Sequence, residues 1–425
     1  MTVDQSTPLT SPAPDGRIVT LVMCSTSGQL LGTLPPVPVG SPWWPDVGPV
    51  VDAAAARGVA VRVLRLLEAD GQAPRDGHVA YLAELLSPPT GRLLPVPDHL
   101  AALATREDPR RARWARPGGV ADVLSWADGV LHGAGTPRTG PAVQVKSWNL
   151  SSVLRLPTAR GPVWCKSVPP FLAHEGAAIA AVATTHRELV PVLLGSRREP
   201  GGSGTVLLDD VPGEDRWEAP LPVLVRMVRA WVDVQAAWAG RAQELLAAGL
   251  PDRRTPALLD AVLAVIGRED VRAELAPDEV TALDRLAAGL PGVLRELDAC
   301  GLPPTLVHGD LHPGNWRGPG DELVLLDWGD SGVGHPLLDL PAFLTRVPDE
   351  GRRSVLAAWA DAWRERAPDA DPDRAVHLVA PVAELVRAVV YRTFLDGIEA
   401  SERTYHDGDV AAALRAALQA ARRQP

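Results

Sequence analysis

The chain has 425 residues, of which 46% are hydrophobic, and a formal net charge of −10 at pH 7. This length predicts two to three domains of ordinary size, each with enough apolar residues for a core. The negative charge argues against a general affinity for nucleic acid or anionic lipid, because such partners need a basic surface. It is compatible with a cationic or neutral substrate, and it also favours solubility without any functional meaning.

The three cysteines, Cys24, Cys165 and Cys300, are far apart and form no CxxC pair, so we expect neither a disulfide framework nor a zinc site. The first residues are polar and proline-rich, without the basic and then apolar order of a secretory signal. No uncharged apolar run approaches the roughly 18 residues that a membrane-spanning helix needs. We therefore expect a cytoplasmic protein that does not associate with membranes.

The N-terminal part predicts a small domain before the main one. Residues 1–16 are expected to be disordered. Residues 17–97 contain the strand-like runs RIVTLVMC, VAVRVLRLLEA and HVAYLAELL, and they predict a small α+β domain of unknown role. Residues 98–140 are rich in Arg, Pro and Gly, and they predict a connecting segment with one helix at VADVLSWADGVLH.

The remaining residues predict a second, two-part domain. Residues 141–212 alternate between apolar and polar side chains around a Gly turn, which is typical of a strand meander, and one helix interrupts it. Residues 213–425 have apolar side chains at helical spacing, except over 305–340. The fold class expected is therefore α+β, with a small antiparallel β lobe followed by a mainly helical lobe.

Residues 305–340, which depart from this helical spacing, contain the pattern of polar residues that is most indicative of catalysis. It reads TLVHGDLHPGNWRGPGDELVLLDWGDSGVGHPLLDL, in which Asn315 lies five residues after Asp310 and a strand ends at Asp327. Phosphoryl transfer needs a carboxylate that accepts the proton of the attacking hydroxyl, and hard oxygen ligands for Mg²⁺. These three residues supply both. Asp and Asn in a Gly/Pro-rich loop are also common turn formers, but the whole pattern is more specific than that alternative.

This stretch resembles the aminoglycoside phosphotransferase and choline kinase-like family, whose fold is related to protein kinases. The resemblance implies that Asp310 is the catalytic base and that Asn315 and Asp327 are metal ligands. It also implies that His308 structures the loop. Asp339 resembles an aspartate that buttresses the loop, and a helix N-cap is a compatible alternative.

A protein kinase-like lobe implies a lysine on a strand and a glutamate on the next helix, which orients it. Lys166 in VWCKSV and Glu175 in AHEGAAIAAVA occupy these places, and Lys166 is one of only two lysines in an arginine-rich chain. The alternative is an exposed strand lysine beside a glutamate that the helix dipole favours. No GxGxxG loop is present. The turn WNLSSV stands in its place, where Ser151 and Ser152, with their backbone N–H groups, are candidates for phosphate contacts.

The sequence therefore predicts a small-molecule kinase that uses Mg²⁺ with ATP or GTP and phosphorylates a hydroxyl. An aminoglycoside-like antibiotic is one candidate acceptor. A metabolic kinase of an amino alcohol or a sugar, and a non-catalytic nucleotide-binding module, are the alternatives. The helical C-terminal part is expected to supply the acceptor pocket, where carboxylates would suit an aminated acceptor. For any single acidic residue, the charged face of an amphipathic helix is the stronger interpretation; the candidates are Asp361, Glu365, Glu384, Asp396 and Glu399.

Overall fold

The computed structural model of the chain describes residues 16–70, 74–199 and 201–423. The disorder expected for residues 1–16 lies outside these ranges, apart from Gly16. The chain forms two compact units. The first runs up to Pro169 and also includes Gly397–Asp407, and the second consists of Pro170–Asp396 and the chain from Gly408 onward.

The first unit contains eight strands, three helices and two short 3₁₀ turns among its described residues. These are β1 (Arg17–Cys24), β2 (Leu30–Thr33), β3 (Val37–Val39), α1 (Gly48–Ala55), β4 (Val61–Asp70), β5 (His78–Leu85), α2 (Asp98–Thr105), the 3₁₀ turn Arg113–Ala115, α3 (Gly119–Gly133), β6 (Val143–Ser147), β7 (Ser152–Thr158), β8 (Gly161–Val168) and the 3₁₀ turn Ala400–His406.

The N-terminal sheet is mixed and buried on both faces. Its order is β2-β1-β5-β4, with β1 and β5 parallel and the other neighbouring pairs antiparallel, while β3 also pairs with β1. Alternate residues of β1 enter two different apolar clusters, Leu21 on the face that also packs Trp44 and Val22 on the face that packs Leu100 of α2. This explains why β1 is a nearly continuous apolar run rather than an alternating one. The predicted small α+β domain is thus a two-sided sheet.

The segment 98–140 differs from its prediction, because it contains two helices and not one. The correction is α2, which buries Leu100 and Ala104 against the sheet. Its apolar stripe is short and lies next to a run rich in Arg and Pro. The composition of the segment therefore predicted a connection at this place and not a helix. The predicted helix is α3, and Trp114, just before it, is fully buried.

The strands of the predicted nucleotide lobe divide between the units. Strands β6, β7 and β8 form an antiparallel meander, as predicted, and they belong to the first unit. Side chains of β6 join them to β4: Gln144 bonds both the N–H and the carbonyl of Val63, at 2.9 and 2.7 Å, and the Ser147 hydroxyl donates to the Leu64 carbonyl. These bonds explain why β6 is part of the N-terminal unit.

The segment Gly397–Asp407 is likewise part of the first unit, although residues 213–425 were predicted to form one helical lobe. It carries buried polar side chains. Glu402 accepts from the backbone N–H of Leu66 at 3.0 Å, and its own carbonyl accepts from the side chain of Asn149. Glu399 accepts from Arg111 at 2.9 Å. The burial and bonding of these side chains explain why the segment departs from a simple amphipathic helix.

The second unit is mainly helical, as predicted. Its elements are α4 (Glu175–Ala183), β9 (Leu193–Arg198), β10 (Gly204–Asp209), β11 (Glu214–Asp215), α5 (Leu221–Trp238), α6 (Ala242–Ala247), β12 (Asp252–Arg253), α7 (Thr255–Ile266), α8 (Glu269–Ala273), α9 (Pro277–Ala299), β13 (Thr305–Val307), β14 (Trp316–Gly318), β15 (Val324–Leu325), β16 (Gly332–Gly334), α10 (Leu340–Leu344), α11 (Asp349–Arg366), α12 (Pro372–Gly397) and α13 (Asp409–Arg422).

Helix α5 supports the segment that carries the chemistry. It buries a stripe that includes Leu224, Val228 and Trp231, which follows helical periodicity. The side chain of Gln235 donates to the carbonyl of Leu306 at 3.2 Å, and the Thr305 hydroxyl donates to the carbonyl of Gln235 at 2.5 Å. Strand β13 is thereby fixed on α5, directly before His308. Among the described residues, no helix combines the length and apolarity needed to cross a bilayer.

Candidate active site

His308 is the first residue after β13, and its side chain is fully buried. Its Nε2 lies 3.0 Å from the carbonyl of Leu326, the residue before Asp327. Burial lowers the pKa of His308 to about 4, so the ring is neutral at pH 7 and donates from Nε2. A neutral donor at this position ties the start of the loop to the end of β15, and it is not placed to act as a base.

Asp339 holds the same loop from the other side. Its carboxylate accepts from the backbone N–H groups of His308 and Gly309, at 3.0 and 2.8 Å, and from the indole of Trp231 at 3.0 Å. Burial raises the pKa of Asp339 to about 6, although these bonds oppose the rise. The residue stands at the N-cap position of α10, yet its side chain makes no cap hydrogen bond. The geometry therefore matches a buttress rather than a cap.

Gly309 allows the close approach of this loop to Asp330 and to Arg253 of β12. Its φ is +86°, and a Cβ added there would lie 2.1 Å from the carbonyl oxygen of Asp330 and 2.9 Å from Nη1 of Arg253. Both the left-handed backbone and the lack of space exclude a side chain. The glycine of the HGD motif is therefore required by packing.

Asp310 has two protein contacts on one carboxylate oxygen. The side-chain amide of Asn315 donates to Oδ2 at 3.3 Å and to the Asp310 carbonyl at 2.8 Å, while Nε2 of His312 lies 3.5 Å from the same Oδ2. Burial alone would raise the pKa of Asp310, but His312 outweighs it, so that the pKa lies below its usual value. The side chain is 48% exposed. An ionised, accessible carboxylate is what a hydroxyl-orienting base requires.

Asn315 and Asp327 are brought together by the backbone. The N–H of Leu326 donates to the carbonyl of Asn315 at 2.8 Å, so the residue before Asp327 pairs directly with the loop. Asp327 is exposed and has φ 63° and ψ 62°, one of two non-glycine residues with positive φ in the described part of the chain. Such a conformation costs free energy and is common at functional sites.

The donor set of this site fits Mg²⁺. Asn315 directs its amide N–H atoms at Asp310, which leaves the amide oxygen for a cation, and Asp327 supplies a carboxylate. Hard oxygen ligands of this kind, with waters and phosphate oxygens completing the shell, are typical of magnesium. No group of three His, Cys, Asp or Glu side chains suited to a metal occurs within the described ranges. A cage made entirely of such side chains is therefore absent from those ranges.

Comparison with known proteins agrees with this geometry. A model of the phosphotransferase enzyme family matches residues 141–378, which is more than half of the chain. The chain belongs to this family. No curated protein sequence matches it significantly.

Among solved structures, a protein from Ralstonia eutropha described as an aminoglycoside phosphotransferase is 16% identical, with a TM-score of 0.51, over 72% of this chain and 99% of its own. A macrolide 2′-phosphotransferase from Brachybacterium faecium is 20% identical over 69% of this chain and 98% of its own, with a TM-score of 0.47. A choline/ethanolamine kinase family protein from Mesorhizobium loti is 19% identical over 71% and 99%, with a TM-score of 0.44. The first likeness shows the fold, and the predicted protein kinase-like α+β class is confirmed.

The predicted nucleotide residues of this phosphotransferase lie in different units. Lys166 is half-buried on β8, opposite Val153 of β7, and belongs to the first unit. Glu175 is buried at the start of α4 in the second unit. Their pairing stays a prediction.

Ser151 and Ser152 close the turn between β6 and β7. Both side chains are buried, and the Ser151 hydroxyl accepts from the indole of Trp148 at 2.9 Å. The hydroxyl of Ser151 thus accepts one bond within the turn, and its O–H remains as a donor. A phosphate contact by these serines stays a prediction.

The acidic residues expected to contact the acceptor are engaged by arginines. Glu384 pairs with Arg387 at 2.7 Å, and burial raises the pKa of this carboxyl. The other candidates also have arginine partners: in the second unit Asp361 with Arg364, Glu365 with Arg229 and Asp396 with Arg392, and within the first unit Glu399 with Arg111. Each of these carboxylates therefore has an arginine partner in the absence of an acceptor.

Sequence reasoning missed two aromatic residues near the loop that carries Asp310. The pKa of Tyr391 rises to about 12, mainly through burial, with the negative charge of Asp409 and then of Asp310 adding to it. Trp217 stacks on His312 with ring centroids 4.7 Å apart. Neither residue stands in a motif, so only the folded chain reveals them.

Proposed function

We propose that this protein transfers the γ-phosphoryl group of a nucleoside triphosphate to a hydroxyl of a small molecule. The observation that carries the proposal is the arrangement of the Asp310 carboxylate. Asn315 and His312 both contact Oδ2, which leaves Oδ1 to receive the acceptor hydroxyl. The buried supports of the loop, His308 and Asp339, hold this arrangement before any substrate binds, and such preorganisation lowers the cost of reaching the transition state.

In the proposed reaction, Asp310 orients the hydroxyl and accepts its proton. A bond forms between the hydroxyl oxygen and the γ-phosphorus, and the bond from that phosphorus to the β–γ bridging oxygen breaks. The products are a phosphate monoester and a nucleoside diphosphate. Asn315 and Asp327 would hold Mg²⁺, which supplies neutralisation of phosphate charge.

The remaining nucleotide contacts follow the family pattern. Lys166 would bind the α- and β-phosphates, with Glu175 orienting it, and the turn before β7 would offer backbone N–H groups to phosphate. ATP and GTP both fit these contacts, because none of them touches the base.

An aminoglycoside-like antibiotic is the acceptor class that we propose first, with an amino alcohol or a sugar second. A nucleotide-binding module without turnover is disfavoured, because such a module has no need for an exposed, ionised Asp310 whose Oδ1 is left for an acceptor hydroxyl.

The test measures ADP and GDP release with Mg²⁺ across a panel of aminoglycosides, macrolides, amino alcohols and sugars. Acceptor-dependent release identifies the class. Nucleotide binding without release from any acceptor would overturn the proposal in favour of the regulatory module.

A further inference from the structure

Trp217 is a half-exposed aromatic side chain at the edge of the catalytic loop. It precedes α5, and 49% of it is exposed. Its ring lies on the imidazole of His312, with centroids 4.7 Å apart and planes inclined by 19°. The guanidinium of Arg346 lies 5.4 Å from the indole centroid. Stacking of this kind favours one ring orientation.

The loop leaves space for this indole at one position. A Cβ added to Gly314 would lie 2.2 Å from Cε2 and 2.3 Å from Cζ2 of Trp217, far below contact distance. Gly314 stands between His312 and Asn315, so the indole rests on the centre of the loop. The space requirement at Gly314 is independent of the stacking on His312, and both place Trp217 in the same position.

His312 connects this stack to the base. Its Nε2 lies 3.5 Å from Oδ2 of Asp310, whereas its Nδ1 is buried and has no hydrogen-bond partner in the part of the chain that the structure describes. A proton on Nε2 faces a carboxylate, while a proton on Nδ1 would be buried without an acceptor. The partners therefore assign the Nε2–H tautomer. The contact is long, and catalytic contacts of this length commonly shorten when substrate binds.

We propose that Trp217 and His312 are positioning residues for Asp310. The indole fixes the plane of the imidazole, the imidazole N–H holds Oδ2, and Oδ1 is left in the direction of the acceptor hydroxyl. This inference rests on the proposed phosphotransfer, since it assigns the orientation of the base in that reaction.

The first experiment does not depend on turnover. It records long-range ¹H–¹⁵N spectra of the full chain with ¹⁵N-labelled histidine at pH 7, and the His312 signals are identified by their loss in His312→Gln. We expect the Nε2–H tautomer in the wild type, and shifted His312 signals in Trp217→Ala and Gly314→Ala. Trp43→Ala is the matched control, because Trp43 is 45% exposed and has the guanidinium of Arg75 at 5.2 Å, but lies in the first unit. An Nδ1–H tautomer, or His312 signals unchanged by both variants, would overturn the proposal.

The second experiment measures ADP release from Mg-ATP, with water and with the best acceptor of the panel. We expect kcat to fall about tenfold to a hundredfold in Trp217→Ala and Gly314→Ala, with the KM for ATP within about twofold, because only the base is displaced. His312→Gln should retain more activity than His312→Ala, since its amide N–H can replace the imidazole donor. A raised KM for the acceptor at unchanged kcat would make Trp217 a binding surface and overturn the positioning role. If the wild type shows no turnover, phosphotransfer itself fails, and the spectra alone decide whether the stack exists.

Discussion

Asn315 donates its side-chain amide to both the carbonyl and the carboxylate of Asp310, at 2.8 and 3.3 Å. The proposed metal ligand and the proposed base are therefore one hydrogen-bonded unit. Since the amide N–H atoms are directed at Asp310, the amide oxygen of Asn315 is the atom that remains for Mg²⁺. A change at this residue should affect the metal and the base together.

Asn315→Ala should therefore have two effects on turnover. The Mg²⁺ concentration for half-maximal rate should rise by about tenfold or more, because a ligand is lost, and the rate at saturating Mg²⁺ should also fall, because Asp310 loses a donor. Titrating ADP release against Mg²⁺ separates the two effects. Asp327→Asn is the comparison, and it should change mainly the Mg²⁺ requirement. An unchanged Mg²⁺ dependence in both variants would remove these residues from the metal site.

Asp310→Asn should abolish most of the phosphotransfer while nucleotide binding persists. The amide cannot accept the hydroxyl proton, and the loss of a general base costs about 10²–10⁴-fold in rate. ADP release and nucleotide titration by calorimetry measure the two quantities. Asp321→Asn is the matched control, because Asp321 lies in the same segment, is 93% exposed and pairs only at the surface with Arg226. Turnover equal to that of the control would exclude Asp310 as the base.

The loop around Asp310 was predictable from sequence as a structural unit because its geometry is local. His308, Asp310, Asn315 and Asp327 lie within one short stretch, and backbone bonds between the loop and Leu326 bring them together. Trp217 is different. Its contact with His312 depends on how the chain before α5 packs on the loop, and a single tryptophan in a helical region gives no such signal.

The organisation of the N-terminal unit was less predictable for a related reason. Gln144 and Asn149 read as ordinary strand and turn residues, yet their side chains bond β4 and the segment Gly397–Asp407. Such contacts join segments far apart in sequence, and residue patterns report only local periodicity. The arginine partners of the acidic residues on the helices likewise become visible only in the folded chain.

Asp339→Ala should destabilise the fold around the loop. It would leave two backbone N–H groups and the Trp231 indole without an acceptor in a buried site, and each unsatisfied donor costs about 1–3 kcal/mol. We expect the free energy of unfolding to fall by at least about 3 kcal/mol, with a smaller loss in Asp339→Asn, which keeps one acceptor oxygen. Urea unfolding at pH 7 measures this. Asp321→Ala should leave the free energy of unfolding nearly unchanged, because its ion pair with Arg226 is exposed. Equal effects in the two alanine variants would contradict the buttress role.

Glu402 should make the stability of the first unit depend on pH. Burial raises the pKa of this carboxyl to about 8, and the nearby charge of Glu399 adds to the rise. The folded state therefore binds a proton that the unfolded chain releases near its ordinary value of 4.5. The stabilisation from this group is complete below that value and is lost as pH rises toward about 8. Glu402→Gln keeps an acceptor for the Leu66 N–H but cannot ionise.

The measurement for Glu402 is the Tm of the wild type and of Glu402→Gln between about pH 5 and 9. We expect the Tm of the variant, relative to the wild type, to rise steadily with pH, because only the wild type loses a proton from the buried site. Glu68→Gln is the matched control, since Glu68 lies in the same unit but is 49% exposed, and its Tm difference should stay constant. A constant difference for Glu402→Gln as well would mean that this carboxyl is ionised in the folded protein throughout the range. The charges of Arg65 and Arg111, which lower its pKa, would then outweigh burial.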